Sequence, residues 1–369
     1  MVDTSVVYLF RKGESFSLVK KFIFSYKKNY PKEAHIFYII FKGFSGPNEN
    51  QVCKVKDLLK GVKFREVYYD DTGYDITVYL KITQIIETDF IIFLNSKSEI
   101  KKNNWFQMLR KAIKMDKTIL AGATASLESY KNSNLYVYLI AQVIKKMPAF
   151  YNIQFIKFFA PFAPKSYFLN EPKITCQIKY FLQCLFIFSD NFKFLAKFFP
   201  NRGPDDVLDL IVADELAKCD STWPSTSWIH EVPIFPNPHI RTTAFIVDRS
   251  WLKENFKKVP LSREECLLFE SGINGLSSTA IFQGYHNALV TSEKIYFDYT
   301  EWHQAGSFRS GKQSSLLVSD NHTRIFENET LEAKASHAIM TWGYNDKIIN
   351  YYKLKAEKFA LNIWKKLFT

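Results

Sequence analysis

Glu270, in Phe269-Glu-Ser-Gly272, is a carboxylate set between an apolar run and a glycine-containing turn. It can deprotonate an attacking hydroxyl. Read as a charge at a helix start, it would only answer the macrodipole. Upstream, the proline-rich turn Phe235-Pro-Asn-Pro238 delivers His239 and Arg241 at the head of an apolar strand. A His and an Arg so placed can hold a phosphate by charge-assisted bonds; a lone His is more often structural, and Arg241 is what favours the functional reading. Downstream, Arg309 and Lys312 stand in Phe308-Arg-Ser-Gly-Lys-Gln313, a Gly/Ser-rich loop suited to an anionic ligand. Asp320 and Asn321 shape a turn.

Two more clusters follow apolar runs in the first third of the chain. Phe90 to Leu94 is five apolar residues, the length of a strand covered on both faces, and Asn95, Ser96, Lys97, Ser98 and Glu99 follow at once. The run from Phe64 to Tyr69 leads into Asp70, Asp71 and, two residues past Gly73, Asp75. These carboxylates can accept bonds from ribose hydroxyls or a base. Asp75 can equally cap the helix that starts near Ile76, and both readings stay open.

The elements that must position these groups alternate regularly. Strands are expected at Val6–Phe10, His35–Phe41, Phe64–Tyr69, Phe90–Leu94 and from Ile119; helices at Phe16–Tyr26, Gln51–Leu59, Ile76–Ile86 and about Asn104–Lys114. Strands separated by helices of ten or so residues mean βαβ units and a mainly parallel α/β sheet. In such a sheet, ligands bind beyond the carboxyl ends of the strands, where the loops at Asp70 and Asn95 fall. Neither a Gly-x-Gly-x-x-Gly nor a Gly-x-x-x-x-Gly-Lys-Ser/Thr motif is present, which argues against the dinucleotide and P-loop versions.

From Tyr130 to Pro200 the alternation stops: 19 of 71 residues are aromatic, with nine lysines against two acids. Either these aromatics form a local core with lysines on its wet face, the better-supported account, or the segment lies on an anionic membrane surface. A basic amphipathic helix over 345–369 repeats the theme. The net charge of +12 implies an anionic partner; nucleic acid is disfavoured because Arg, the base-reading residue, is absent from 130–200. Five scattered cysteines in no metal-type spacing, no leader-like start and no long uncharged apolar run lead us to expect a cytoplasmic protein, peripheral to a membrane at most.

The stretches Gly73-Tyr-Asp-Ile-Thr-Val-Tyr79, Phe93-Leu-Asn-Ser-Lys-Ser-Glu99, Gly122-Ala-Thr-Ala-Ser126, Pro238-His-Ile-Arg-Thr242, Phe269-Glu-Ser-Gly272 and Phe308–Gln313 follow one another in an order that resembles bacterial-type GT-A glycosyltransferases of polysaccharide and cell-surface glycan synthesis. The resemblance implies a GT-A-like, Rossmann-like sheet flanked by helices, with an aromatic, basic and largely helical insertion. Its parts would be a nucleotide-sugar-binding half (1–128), the insertion (129–222), an acceptor and catalytic half (223–344) and the amphipathic helix (345–369). It implies a nucleotide-sugar donor and a glycan or lipid-linked acceptor. Asp75 would lie by the nucleotide, Glu270 in the place of the catalytic base, and Arg241 with His239 on the acceptor or diphosphate side. Asn95 to Glu99 would occupy the place of the metal-binding Asp-x-Asp, which this chain lacks. Asn and Ser are poor ligands for a hard cation. The expectation is therefore no required cofactor, or Mg2+ or Mn2+ weakly held by Glu99, with Lys97, Arg241 or Arg309 neutralising the diphosphate. A related transferase of a phosphorylated group and a non-catalytic glycan- or membrane-binding module are the alternatives.

Overall fold

The computed structural model describes residues 2–130, 228, 231–329 and 331–343. The chain divides into two compact units, 1–127 with 231–327, and 128–230 with 328–369. The expected insertion and the helix over 345–369 lie largely or wholly outside the described residues; of the second unit the structure describes chiefly the helix Leu331–Trp342. The sheet and the helices that flank it belong to the first unit.

The strands of that sheet are β1 (Thr4–Arg11), β2 (Ile36–Lys42), β3 (Arg65–Tyr69), β4 (Phe90–Leu94), β6 (Thr118–Gly122), β9 (Ala244–Asp248), β10 (His286–Val290) and β11 (Ile295–Tyr296). Their order is β11-β10-β6-β9-β4-β1-β2-β3. Two small pairs complete the strands: β5 (Glu99–Ile100) with β12 (Val318–Ser319), and β7 (Ala125–Ser126) with β8 (His239–Ile240). The helices are α1 (Phe16–Lys28), α2 (Asn50–Leu58), α3 (Asp75–Thr83), α4 (Trp105–Ile113), α5 (Arg249–Asn255), α6 (Arg263–Ser271), α7 (Leu276–Phe282) and α8 (Asn321–Asn328). The result is the expected mainly parallel sheet flanked by helices. Each expected element over 5–122 forms, with its ends displaced by no more than three residues.

One strand corrects the expectation of parallel neighbours around Phe90–Leu94. β1 flanks β4 in parallel, but β9 runs antiparallel to both β4 and β6. The reason is where the chain re-enters. Thr243, just before β9, accepts the Asn95 N–H at 3.0 Å, so β9 begins at the carboxyl end of β4 and must run back along it.

Both faces of the sheet are covered, which explains the unbroken apolar runs. Tyr8, Ile39, Ile92 and Ile246 face α1, α2 and α4, whose Val19, Phe22, Ile23, Val55 and Trp105 are buried. On the other face Phe93 stacks on Tyr79 of α3, with ring centroids 4.5 Å apart. Each such fully buried side chain contributes about 1.5–3 kcal/mol. Local signals set the helix starts: the Ser15 hydroxyl accepts the Ser17 N–H, and Ser262 with Glu265 forms a capping box at α6.

Candidate functional site

The carboxyl ends of β1, β2 and β3 carry an ionic cluster. Lys42 closes β2 and is 1% exposed, and a buried ammonium must be paired. Its Nζ donates to Asp71 Oδ1 and to the Gly73 carbonyl, both at 2.9 Å. Arg11, closing β1, donates from Nε and Nη2 to the same Asp71 carboxylate at 2.8 and 2.9 Å. The Arg11 bonds and Lys42 hold that carboxyl down at about 2. Gly73 has φ +67°, and a Cβ there would stand 2.2 Å from Thr77 Oγ1, so the loop needs glycine. Asp70 is exposed, accepts the Thr72 N–H and lies 3.9 Å from Lys81. Lys42→Met is expected to lower stability by about 1–3 kcal/mol, because the Gly73 carbonyl loses its donor. A urea midpoint equal to that of the parent would refute this strap.

Asp75 opens α3 without capping it. The capping reading is corrected: Tyr74 precedes the helix, its N–H donates to Thr77 Oγ1 at 2.9 Å, and no hydrogen bond engages the Asp75 carboxylate among the described residues. Burial first, and the Glu14 carboxylate second, push its carboxyl up to about 6, against Lys97, Lys42 and Arg11. Glu14 Oε1 lies 3.8 Å from Lys97 Nζ, and its Oε2 is buried with no hydrogen-bond partner among the described residues. A raised carboxyl pKa means that ionisation costs stability, in growing measure from about pH 4, the unfolded value, to about 6. Asp75→Asn is therefore expected to stabilise the protein at pH 7.5 and not at pH 4. An NMR titration midpoint near 4 for Asp75 would contradict it.

The loop after β4 differs from expectation. Asn95, Ser96 and Ser98 are buried, and Asn95 Oδ1 accepts the Lys97 N–H at 3.1 Å and the Ser98 hydroxyl at 3.0 Å. These polar atoms shape their own turn, and the Lys97 ammonium lies 3.8 Å from Glu14 Oε1. Glu99 lies in β5 with Lys101 at 3.3 Å, Arg324 at 3.6 Å and Lys21 at 4.0 Å. A carboxylate shared by three cations is a poor ligand for a hard cation, so the residues at this strand end do not fit a divalent metal. No cluster of three metal-type side chains exists among the described residues.

Glu270 sits in the last turn of α6, which overturns the helix-start reading. A carboxylate there opposes the macrodipole. It is held by Thr242, whose N–H donates to Glu270 Oε2 at 2.7 Å and whose hydroxyl donates to the same oxygen. Arg241, 8% exposed, donates to Asp320 Oδ2 at 3.0 Å and lies 3.9 Å from the centre of the Phe308 ring. Arg309, at φ +45°, stacks on the same ring at 4.9 Å. His322, beside Asp320, is exposed; loss of solvation and then the Arg241 charge pull its imidazole below the ordinary value. His239 is buried in β8 with Nδ1 2.8 Å from the Asn237 carbonyl. Lys312 is exposed on its loop.

Short links run between the elements that carry these groups. Asn95 bonds Thr243, whose neighbour Thr242 bonds Glu270. Thr77, in the first turn of α3, donates to the Pro260 carbonyl at 2.6 Å, just ahead of α6. Arg324 Nη2 donates to the Lys97 carbonyl at 3.1 Å. The loop after Leu94 is thus tied to the segment that carries Thr242, and the start of α3 to the residue ahead of α6. Sequence reasoning missed Arg11, Glu14, Lys42, Thr242 and His322. Lys42 and Arg11 were legible as the polar residues ending two apolar runs; nothing local marked Glu14 or Thr242.

No protein-family model matches the chain, and no curated protein matches it. Among solved structures, the chain is similar over 33% of its length to mannosyltransferase PcManGT from Pyrobaculum calidifontis, in complex with GDP-Man and Mn2+, covering 35% of that chain at 6% identity and a TM-score of 0.29. It is similar over 32% to GalNAc-T7 with UDP, GalNAc and Mn2+ (22% of that chain, 22% identity, TM-score 0.28) and over 33% to S. aureus TarS 1-349 (35% of that chain, 10% identity, TM-score 0.27). The chain spans about a third or less of those proteins. Overlaps this slight assign no activity, and function rests on the residues of the crevice.

Proposed function

We propose that the chain transfers a sugar from a nucleotide-sugar donor to a hydroxyl of a glycan or lipid-linked acceptor, by direct displacement with inversion. The observation that supports the reading is Glu270 held by Thr242, next in the chain to Arg241 and to the Thr243 that bonds the loop after β4. Glu270 removes the proton from the acceptor hydroxyl as it attacks the anomeric carbon, and the bond to the diphosphate breaks on the opposite side. Asp75, with no protein hydrogen-bond partner among the described residues, accepts from the nucleoside. Lys97 and Arg309 neutralise the leaving diphosphate, while Arg241, committed to Asp320, adds positive potential from behind. No step needs a metal on the loop after β4, whose donor set does not suit one. The order of resembling motifs and the mainly parallel sheet support the same class.

A second reading, a non-catalytic glycan-binding module, is favoured by the saturation of Asp71 by Arg11 and Lys42. Incubation with a panel of nucleotide sugars, with and without EDTA, separates the two. Donor turnover unaffected by EDTA is expected. Turnover abolished by EDTA would refute the metal-free step, and no nucleotide binding would favour the module. Among the described residues no helix is long and apolar enough to cross a membrane; attachment to a membrane surface stays part of the proposal, tested with anionic liposomes.

A further inference from the structure

A groove of about 470 Å3 lies between the edge strand β3, α3 and the end of α5. Asp75, Lys97 and Glu270 do not line it. Its apolar wall is Tyr69, Leu80 and Phe256, and its charged wall is Lys81, Lys253 and Lys257, with no acidic side chain in the lining. Lys253 and Lys257 have no ion-pair or hydrogen-bond partner for their ammonium groups among the described residues. Lys81 lies 5.7 Å from the centre of the Tyr69 ring, and its nearest carboxylate, exposed Asp70, is 3.9 Å away. Two ammonium groups without such partners, lining one groove with a half-buried aromatic ring, suit a ligand with an anionic end and a ring-shaped body. The Gln84 amide on the same wall can bond hydroxyls. A concave site of this size admits one or two sugar rings rather than a duplex or a bilayer.

We propose that this groove binds an anionic saccharide, its ring against Tyr69 and its phosphate or carboxylate between Lys253 and Lys257. The site does not depend on the transferase reading, since binding alone reports it. Calorimetry on the full chain, with glucose 6-phosphate, glucuronate, glucose and inorganic phosphate as probes, tests it. Glucose 6-phosphate or glucuronate is expected to bind, with glucose weaker by about tenfold or more, and affinity is expected to fall steeply as salt is raised. The tighter of the two sugars identifies the anion. Charge reversal at the two surface positions, Lys253→Glu with Lys257→Glu, is expected to weaken binding about tenfold or more while the thermal melt is unchanged. Tyr69→Leu is expected to weaken the sugar anion and leave inorganic phosphate unaffected. The proposal is overturned if neither anionic sugar binds, if inorganic phosphate binds as tightly as the tighter of the two sugars, or if the double reversal leaves affinity unchanged.

Discussion

Glu270→Gln is expected to lower donor-to-acceptor transfer by about 10²–10⁴-fold, the range a positioned general base supplies. The amide oxygen of Gln can still accept from the Thr242 N–H and hydroxyl, so the end of α6 stays anchored and the melting temperature should hold. The variant loses only the ability to take a proton. Nucleotide affinity should be nearly unchanged, because Asp75 and Lys97 lie on other loops. Loss of turnover with donor binding intact is thus the expected pattern. Turnover equal to that of the parent would remove Glu270 from the chemistry.

The second large effect concerns stability. Asp320→Ala is expected to cost about 3–5 kcal/mol, because it leaves the guanidinium of Arg241 buried without its partner. It also removes the Oδ1 that accepts the Thr323 N–H at 2.8 Å, at the start of α8. Burial raises the Asp320 carboxyl, but the Arg241 charge and the Thr323 N–H prevail and hold it at about 2. A depressed carboxyl pKa means that its stabilisation is complete above about pH 4, the unfolded value, and is lost as pH falls towards 2. The parent should therefore lose stability over that window, and Asp320→Ala should show a smaller loss there. Combining Asp320→Ala with Arg241→Met should recover part of the stability, since the stranded charge is gone. Denaturant titrations of the four proteins at pH 7 measure the coupling. A single-variant cost below about 1 kcal/mol would mean that the pair is solvated.

Legibility differed from one part of the crevice to another. Phe90–Leu94 was readable as a strand because five apolar residues in a row have no exposed face, and the polar residues behind it had to be a strand-end loop. Their individual roles were not readable. Asn95 and Ser98 look like ligand-binding residues by type, yet they bond each other and the chain beside them. His239, open to a structural and a phosphate-holding reading alike, is buried in β8. Conversely, His322 lay inside a stretch read only as a turn, and its surroundings come from Arg241 and Arg309, 81 and 13 residues away in the chain.

The amino-acid order by itself determined the alternation of strands and helices, the mainly parallel sheet and the side of it on which polar loops gather. Those follow from apolar periodicity and from helix and turn signals that act over a few residues. Only the tertiary structure decided that β9 runs backwards, that Asp71 is spent on Lys42 and Arg11, and that Thr242 grips Glu270. Such pairings join residues tens to hundreds of positions apart, and their strength depends on burial and distance, which no local pattern encodes.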